Sequence, residues 1–200
     1  MAKLALNQRS LHFESTRLAA FQRFLPAVDL KRRQLIAERN IARQRLAQLE
    51  QEVAALGAEV VASLPMLADL ELDLARLVDV QRVDVAQENL LGAHLPVLRE
   101  VIVQAVPVPL LGTPAWLGFA QDLMARAVAR ELELRIAAER VECLDHAVRK
   151  ATQRFNLFDK VLVPRSRAAI RRISLFLADQ SRAAVVRAKI AKSRRVEGDR

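Results

Sequence analysis

The densest polar chemistry in the chain lies near its C-terminus, in Arg165, Arg167, Arg171, Arg172, Arg182, Arg187, Lys189, Lys192, Arg194 and Arg195. Guanidinium and ammonium groups bind carboxylates and phosphates through charge-assisted hydrogen bonds. Nothing beside them supplies a nucleophile and base. With only five glycines, the chain has neither G-x-x-x-x-G-K nor G-x-G-x-x-G to cradle a nucleotide. His12, His94 and His146 are too far apart to share a metal. Glu131 and Glu133, two apart on a helix, point to different faces. The single Cys143 has no His or acid arranged to activate it and reads as a packing residue in a reducing compartment. The expectation is therefore a binding chain, with no catalytic residue, cofactor or metal.

The charge is divided along the chain. Residues 1–54 carry 10 Lys/Arg and 5 Asp/Glu, residues 55–148 carry 7 and 14, and residues 149–200 carry 15 and 4. Basic ends flank an acidic middle. If the ends pair, one end of the molecule is strongly positive. Nucleic-acid binding would need stacking or groove-reading residues, and the chain has no Tyr and no zinc-finger or helix-turn-helix spacing, so no nucleic acid is expected. No stretch reaches the roughly 18 apolar residues of a transmembrane helix. The N-terminus carries charges where a signal peptide has its apolar core, which favours the cytosol.

The element that positions the basic groups is a helical seam: Leu18, Phe21, Leu25, Val28, Arg32, Leu35, Arg39, Ala42, Leu46, Leu49, Val53, Leu56 and Val60. Its spacings alternate three and four, and only Arg32 and Arg39 interrupt the apolar series. A repeat of 3.5 sustained this long predicts a coiled coil. The helix is expected from about Ser10 to about Leu77, on the order of 100 Å at 1.5 Å per residue. Pro26 predicts a kink or break, and Gly57 with Pro65 a second weak point.

Val78, Val80, Val83 and Val85 follow a near-alternating pattern with a slip between Val80 and Val83, Asn89-Leu90-Leu91-Gly92 reads as a turn, and Leu95 to Val103 is again apolar. This predicts a small β-hairpin, with Pro96 restricting the second strand. Pro107 to Pro114 reads as a loop, with Thr113 as a cap and Pro114 as the first helical residue. A second helix follows to about Lys192, its stripe running through Leu123, Ala127, Leu132, Leu134, Ile136, Val141, Leu144, Val148, Ala151, Phe155, Phe158 and Leu162. After Pro164 it shifts to Ile170, Ile173 and Leu177, and Ser193 to Arg200 are expected to fray.

The expected fold is mainly α: a long antiparallel two-helix coiled coil formed by the N- and C-terminal helices, with a small middle subdomain containing a short β-hairpin. The divisions are 1–77 (N-terminal coiled-coil helix), 78–113 (β-hairpin and loop) and 114–200 (C-terminal coiled-coil helix with basic tail).

The string Thr152-Gln153-Arg154-Phe155-Asn156-Leu157-Phe158-Asp159, followed by Val161-Leu162-Val163-Pro164-Arg165 and then Ile170, Ile173, Leu177, Arg182 and Arg187, resembles the "R-V-N-A-L-E … I-P … I … I … L" signature of the D subunit of V/A-type ATPases. Leu11, Leu18, Arg23, Val28, Lys31, Arg32 and Leu35 resemble the family's "L-x-L-K … L-L-K-x-K-R-D-x-L". Glu88-Asn89-Leu90-Leu91-Gly92 with Leu95-Pro96 is similar to its "E-K-N-I-M-G-V-x-V-P". The similarity is collinear over nearly the whole chain. The chain departs from the pattern at Phe24, where the family has glycine, at Pro26, and at Phe158 and Lys160. Its C-terminal helix also has fewer acids.

The resemblance implies a central rotor stalk that couples ATP hydrolysis or synthesis to ion translocation. The partners implied are the catalytic and non-catalytic nucleotide-binding subunits of a hexamer, a second small central-stalk subunit, and a cup-shaped subunit on the membrane rotor ring. It places the chain in a peripheral complex on the cytoplasmic face of a membrane, with no direct insertion. The residues expected to bind partners are Arg23, Lys31, Arg32, Arg154, Asn156, Arg165, Arg167, Arg171 and Arg172 on the coiled coil, and Glu88, Asn89 and Gly92 at the hairpin. The alternative is a basic coiled-coil adaptor or stalk protein of a secretion or flagellar export apparatus. The hairpin insert argues against it, since a plain adaptor does not need one.

Overall fold

A computed structural model describes residues 5–64, 77–107 and 116–198, with side chains described as far as Lys192. In chain order the elements are helix α1 (Gln8–Ser63), strands β1 (Val78–Leu90) and β2 (Ala93–Ala105), helix α2 (Leu117–Asn156), a π-helix (Leu157–Leu162) and helix α3 (Val163–Gly198). The fold is mainly α, with two long helices that run antiparallel as a coiled coil and a two-stranded antiparallel hairpin between them in sequence. The chain divides into two compact units: residues 1–32 with 151–200, and residues 33–150.

Helix α1 starts two residues before the expected Ser10. Asn7 caps it, its Oδ1 accepting the Ser10 N–H at 2.7 Å. The helix continues through Pro26 and Gly57 without a break. Pro26 lies on the exposed side, where water can hydrate the carbonyl that loses its donor. The expected extension beyond Ser63 towards Leu77, with Pro65, falls on residues outside the described ones, as do the Thr113 cap, Pro114 and most of the 107–114 loop. Every residue of the α1 seam is buried or half-buried, with Leu35 and Leu49 the most enclosed.

In the first unit, Glu14 faces Ser166, Phe21 faces Phe158 and Arg32 faces Phe155. In the second, Arg43 faces Asp145, Arg45 faces Glu133 and Glu59 faces Arg126. In each unit the partner's number falls as the α1 number rises, which is antiparallel pairing.

The returning seam keeps the alternation of three and four through Val141, Leu144, Val148, Ala151, Phe155, Phe158 and Leu162. It then takes steps of four to Ser166 and Ile170 before resuming at Ile173 and Leu177. The chain therefore holds one residue more than the repeat requires. The π-helix sits at this point, with the Val163 N–H donating to the Phe158 carbonyl five residues back. A π turn absorbs a single inserted residue, so the buried face continues past it. Pro164, with no N–H to donate, follows directly. This is the physical reason for the stripe shift at Pro164. Helix α3 runs beyond Lys192 to Gly198, because no helix breaker precedes that glycine.

The strands are 13 residues each. Register shifts fall between Val80 and Arg82 and between Asp84 and Val85. The first lies within the slip expected between Val80 and Val83. Leu90 pairs with Ala93 across Leu91 (φ 52°) and Gly92 (φ 79°). Two successive positive φ angles match a type I′ turn, whose twist suits a hairpin, and the Gly92 N–H donates to Asn89 Oδ1 at 2.9 Å. The hairpin is fastened to α2 at both ends. Near the open end, Gln121 Nε2 donates to the Val106 carbonyl at 2.7 Å and the Leu77 carbonyl at 3.3 Å. Near the turn, Arg140 Nη2 pairs with Glu88 Oε2 at 3.0 Å and Nη1 donates to the Pro96 carbonyl at 3.4 Å. Leu95 is fully buried, whereas Val80, Val83 and Val85 remain exposed.

Two outcomes test this account. Deleting the exposed Lys160 should convert the π-helix to α-helix and leave the seam in register, with the melting temperature within about 5 °C of the parent. Deleting Lys150 in α2 displaces the seam and should lower it more; equal losses would refute the insertion account. Leu91→Asn should raise stability by about 0.5–1 kcal/mol in urea titrations, because Asn tolerates the left-handed region that costs leucine about that much or more.

Candidate partner-binding surfaces

Counted over whole units, residues 1–32 with 151–200 carry 19 Lys/Arg against 6 Asp/Glu, and residues 33–150 carry 13 against 17. The two units use their cations differently.

In the second unit the arginines of the helices are largely neutralised. Arg43 Nη2 meets Asp145 Oδ2 at 2.7 Å, and Arg39, a seam residue, reaches the same carboxylate at 3.7 Å. Arg45 and Arg130 grip Glu133 at 2.8 and 2.7 Å, and both lie within 3.7 Å of Glu52. Arg126 reaches Glu59 at 3.8 Å. Exposed pairs of this kind contribute little singly, but here they link α1 to α2 at successive levels and so favour one register.

In the first unit, few cations are paired among the described residues. Arg32 pairs with Asp29 at 2.6 Å and lies over the Phe155 ring, 4.2 Å from its centroid. Arg17 approaches Glu14 at 3.7 Å and stacks on Phe21 at 5.3 Å. Arg182 reaches Asp179 at 3.6 Å. Arg23, Lys31, Arg154, Arg165, Arg167, Arg171 and Arg172 are exposed, and among the described residues none of them has an ion pair. Asn156 is half-buried at the end of α2, where the π-helix begins.

The structure thus sorts the residues expected to bind partners. Arg32 is committed to the seam. Glu88 is held by Arg140, Asn89 caps the turn and Gly92 supplies its positive φ, so these three shape the hairpin as well as presenting it. The exposed first-unit cations are brought onto one unit and have no ion pair among the described residues. Sequence reasoning missed Gln121 and Arg140. A lone Gln or Arg on a helix carries no signal that it will meet a strand far away in sequence.

Among the described residues, no group of three or more His, Cys, Asp or Glu side chains could hold a metal ion. Cys143 is half-buried. No described helix is long and apolar enough to cross a membrane.

Glu133 carries a clear electrostatic signature. Burial pushes its carboxyl up, but the hydrogen bonds and positive charges of Arg45 and Arg130 outweigh this, leaving it below the usual 4.5. The unfolded chain then takes up the proton first on acidification. The stabilisation is fully present above about pH 4.5 and is lost as pH falls through the lower folded value. Urea midpoints of the parent and Glu133→Gln should therefore differ at neutral pH and converge in acid. A gap that persists to about pH 2 would mean that packing, not charge, sets the effect.

The chain is 29% identical over 202 residues to the V-type ATP synthase D subunit of Borreliella burgdorferi, covering 100% of this chain and 98% of that protein. It is 29% identical over 206 residues to the V-type ATP synthase D subunit of Chlamydia pneumoniae, covering 98% and 97%. The same identity holds over 198 residues with that of Chlamydia trachomatis serovar L2, covering 96% of each. Residues 10–193 match the sequence model of the ATP synthase D-subunit family, and with an antiparallel helical pair and hairpin in place along that span, the chain belongs to that family.

Proposed function

We propose that this chain is the central rotor stalk of a V/A-type ATPase or ATP synthase, transmitting torque between a nucleotide-binding hexamer and a membrane rotor ring while binding no nucleotide itself. The observation that carries the proposal is the set of exposed first-unit cations that have no ion pair among the described residues, on helices packed along a largely apolar seam. A rotating shaft must resist twisting, and two seam-locked helices do so better than isolated ones. It must also slide past successive subunits. Long Arg and Lys side chains attract a passing acidic or polar surface without a deep fixed fit.

In this reading Arg23, Lys31, Arg32, Arg154, Asn156, Arg165, Arg167, Arg171 and Arg172 serve contact with the catalytic and non-catalytic subunits of the hexamer, Arg32 by holding the seam. Glu88, Asn89 and Gly92 present the hairpin to the second small stalk subunit and the cup-shaped subunit. Residues 1–77 and 114–200 supply the shaft, and 78–113 the hairpin region. The complex is peripheral, on the cytoplasmic face of the membrane, and the chain acts as a non-catalytic subunit.

A tagged chain purified from native membranes should retain two large nucleotide-binding subunits in equal amounts, each in excess of the chain itself. Arg167→Glu with Arg171→Glu should keep the helical circular dichroism and lower ion-coupled ATPase activity several-fold, more strongly as salt is reduced. Parental activity from the double variant would remove the basic surface from the mechanism. Retention of export-apparatus components in place of the nucleotide-binding subunits would favour the adaptor reading.

A further inference from the structure

Within the first unit, α1 and the chain from Leu162 into α3 enclose a cavity of about 260 Å³ whose polar lining is Glu14, Arg17, Arg165, Ser166 and Arg172. Three guanidinium groups and one carboxylate share it, an excess of two positive charges. Glu14 is already engaged. Its Oε2 accepts the Ser166 hydroxyl at 3.0 Å, and its Oε1 lies 3.7 Å from Arg17 Nη1. Arg165 and Arg172, seven residues apart and so on one face of the helix, have no ion pair among the described residues. Ser166 is only 2% exposed, so the floor of the cavity is a buried polar contact. Ala168 and Ala169 line the remainder and leave the space unfilled.

We propose that this cavity is a seat for a phosphate-class oxyanion, inorganic phosphate or pyrophosphate. Planar guanidinium forks match phosphoryl oxygens in geometry and charge. Two of the three forks are unspent, and Arg17 is shared with a carboxylate at the outer limit of an ion pair. The volume lies just below the range of roughly 300–1,000 Å³ typical of pockets for larger organic ligands, which favours a small anion over a nucleotide. Glu14 opposes the incoming charge and holds the affinity down. The seat uses Arg165 and Arg172 as a built site, which their place in a basic run does not convey. It requires only the chain itself and does not rest on the rotor reading.

The test is calorimetric titration of the full chain with pyrophosphate, and separately with phosphate, at fixed ionic strength. One saturable site is expected for at least one of the two anions, and the better ligand identifies which anion the seat takes. Arg165→Glu with Arg172→Glu should weaken binding at least tenfold, while Glu14→Gln should tighten it at least threefold by removing the like charge. Arg187→Glu with Lys189→Glu, an equal charge change at exposed positions outside the cavity, should change it less than twofold. Circular dichroism of each variant confirms that the helices persist. No saturable binding of either anion at millimolar concentration would overturn the proposal. So would a loss from Arg187→Glu with Lys189→Glu equal to that of the cavity double variant, since the attraction would then be diffuse, or an unchanged Glu14→Gln affinity.

Discussion

A straight α-helix repeats every 3.6 residues, and a two-helix seam repeats every 3.5, so a long pair stays in contact only if the sequence holds to the shorter period throughout. In this chain that constraint governs most other features. On α1 it is met from Leu18 to Val60 without a slip, and all of those positions are covered. On the returning side it is met with one surplus residue, and the backbone opens into a π turn at Leu157–Leu162. The alternative is to rotate Ser166, Ile170, Ile173 and Leu177 away from their partner. Local helical geometry gives way so that the buried face does not.

The same constraint explains two cations placed where leucine would pack. Arg39 sits in the seam because Asp145 faces it from the opposite helix. Arg32 has Asp29 one turn away and the Phe155 ring beneath its guanidinium, yet its Nε is buried without a hydrogen-bond partner among the described residues. Ring and carboxylate together stabilise the charge, while the unpaired Nε carries a desolvation cost. A polar residue at a seam position penalises shifted pairings more than the native one, so these arginines fix register at some expense of stability. Leu35, between them, is almost wholly enclosed and supplies the apolar contact they forgo.

How legible each feature was in the sequence follows from the range of the physics behind it. The seam residues were readable because periodicity is a local property repeated many times. So was the hairpin: alternating valines, a slip near Gln81 and the Asn89–Gly92 turn are each set by neighbours. The shift at Pro164 was visible as a change of stripe, but its form was not. Spacing records an extra residue without saying whether a bulge, a break or a π turn takes it up. Gln121 and Arg140 were illegible because their partners, Val106, Leu77, Glu88 and Pro96, approach only after the chain has turned back. The exposed arginines of the first unit were legible as a group from their run in the sequence. The separation of Arg32 from the others depended on Phe155, a residue on the other helix.

The sorting of charge connects the fold to the proposed binding role. In the acidic unit, arginines such as Arg43, Arg45, Arg126 and Arg130 meet carboxylates on the facing helix, so their charge is consumed in holding two helices in register. In the basic unit there are too few carboxylates for this, and apolar contacts take over: Phe21 meets Phe158 edge-on at 5.5 Å, with Val163 and Ile173 buried. Because packing more than ion pairing secures that pair of helices, most of their surface cations have no ion pair among the described residues. Long-range attraction between such a surface and an acidic partner is screened over roughly 8–10 Å at ordinary salt. It therefore acts near contact, where it biases which faces meet without fixing them rigidly. A coiled coil held by its seam can present such a surface continuously, whereas one held by its surface charges would have to break its own bonds to bind.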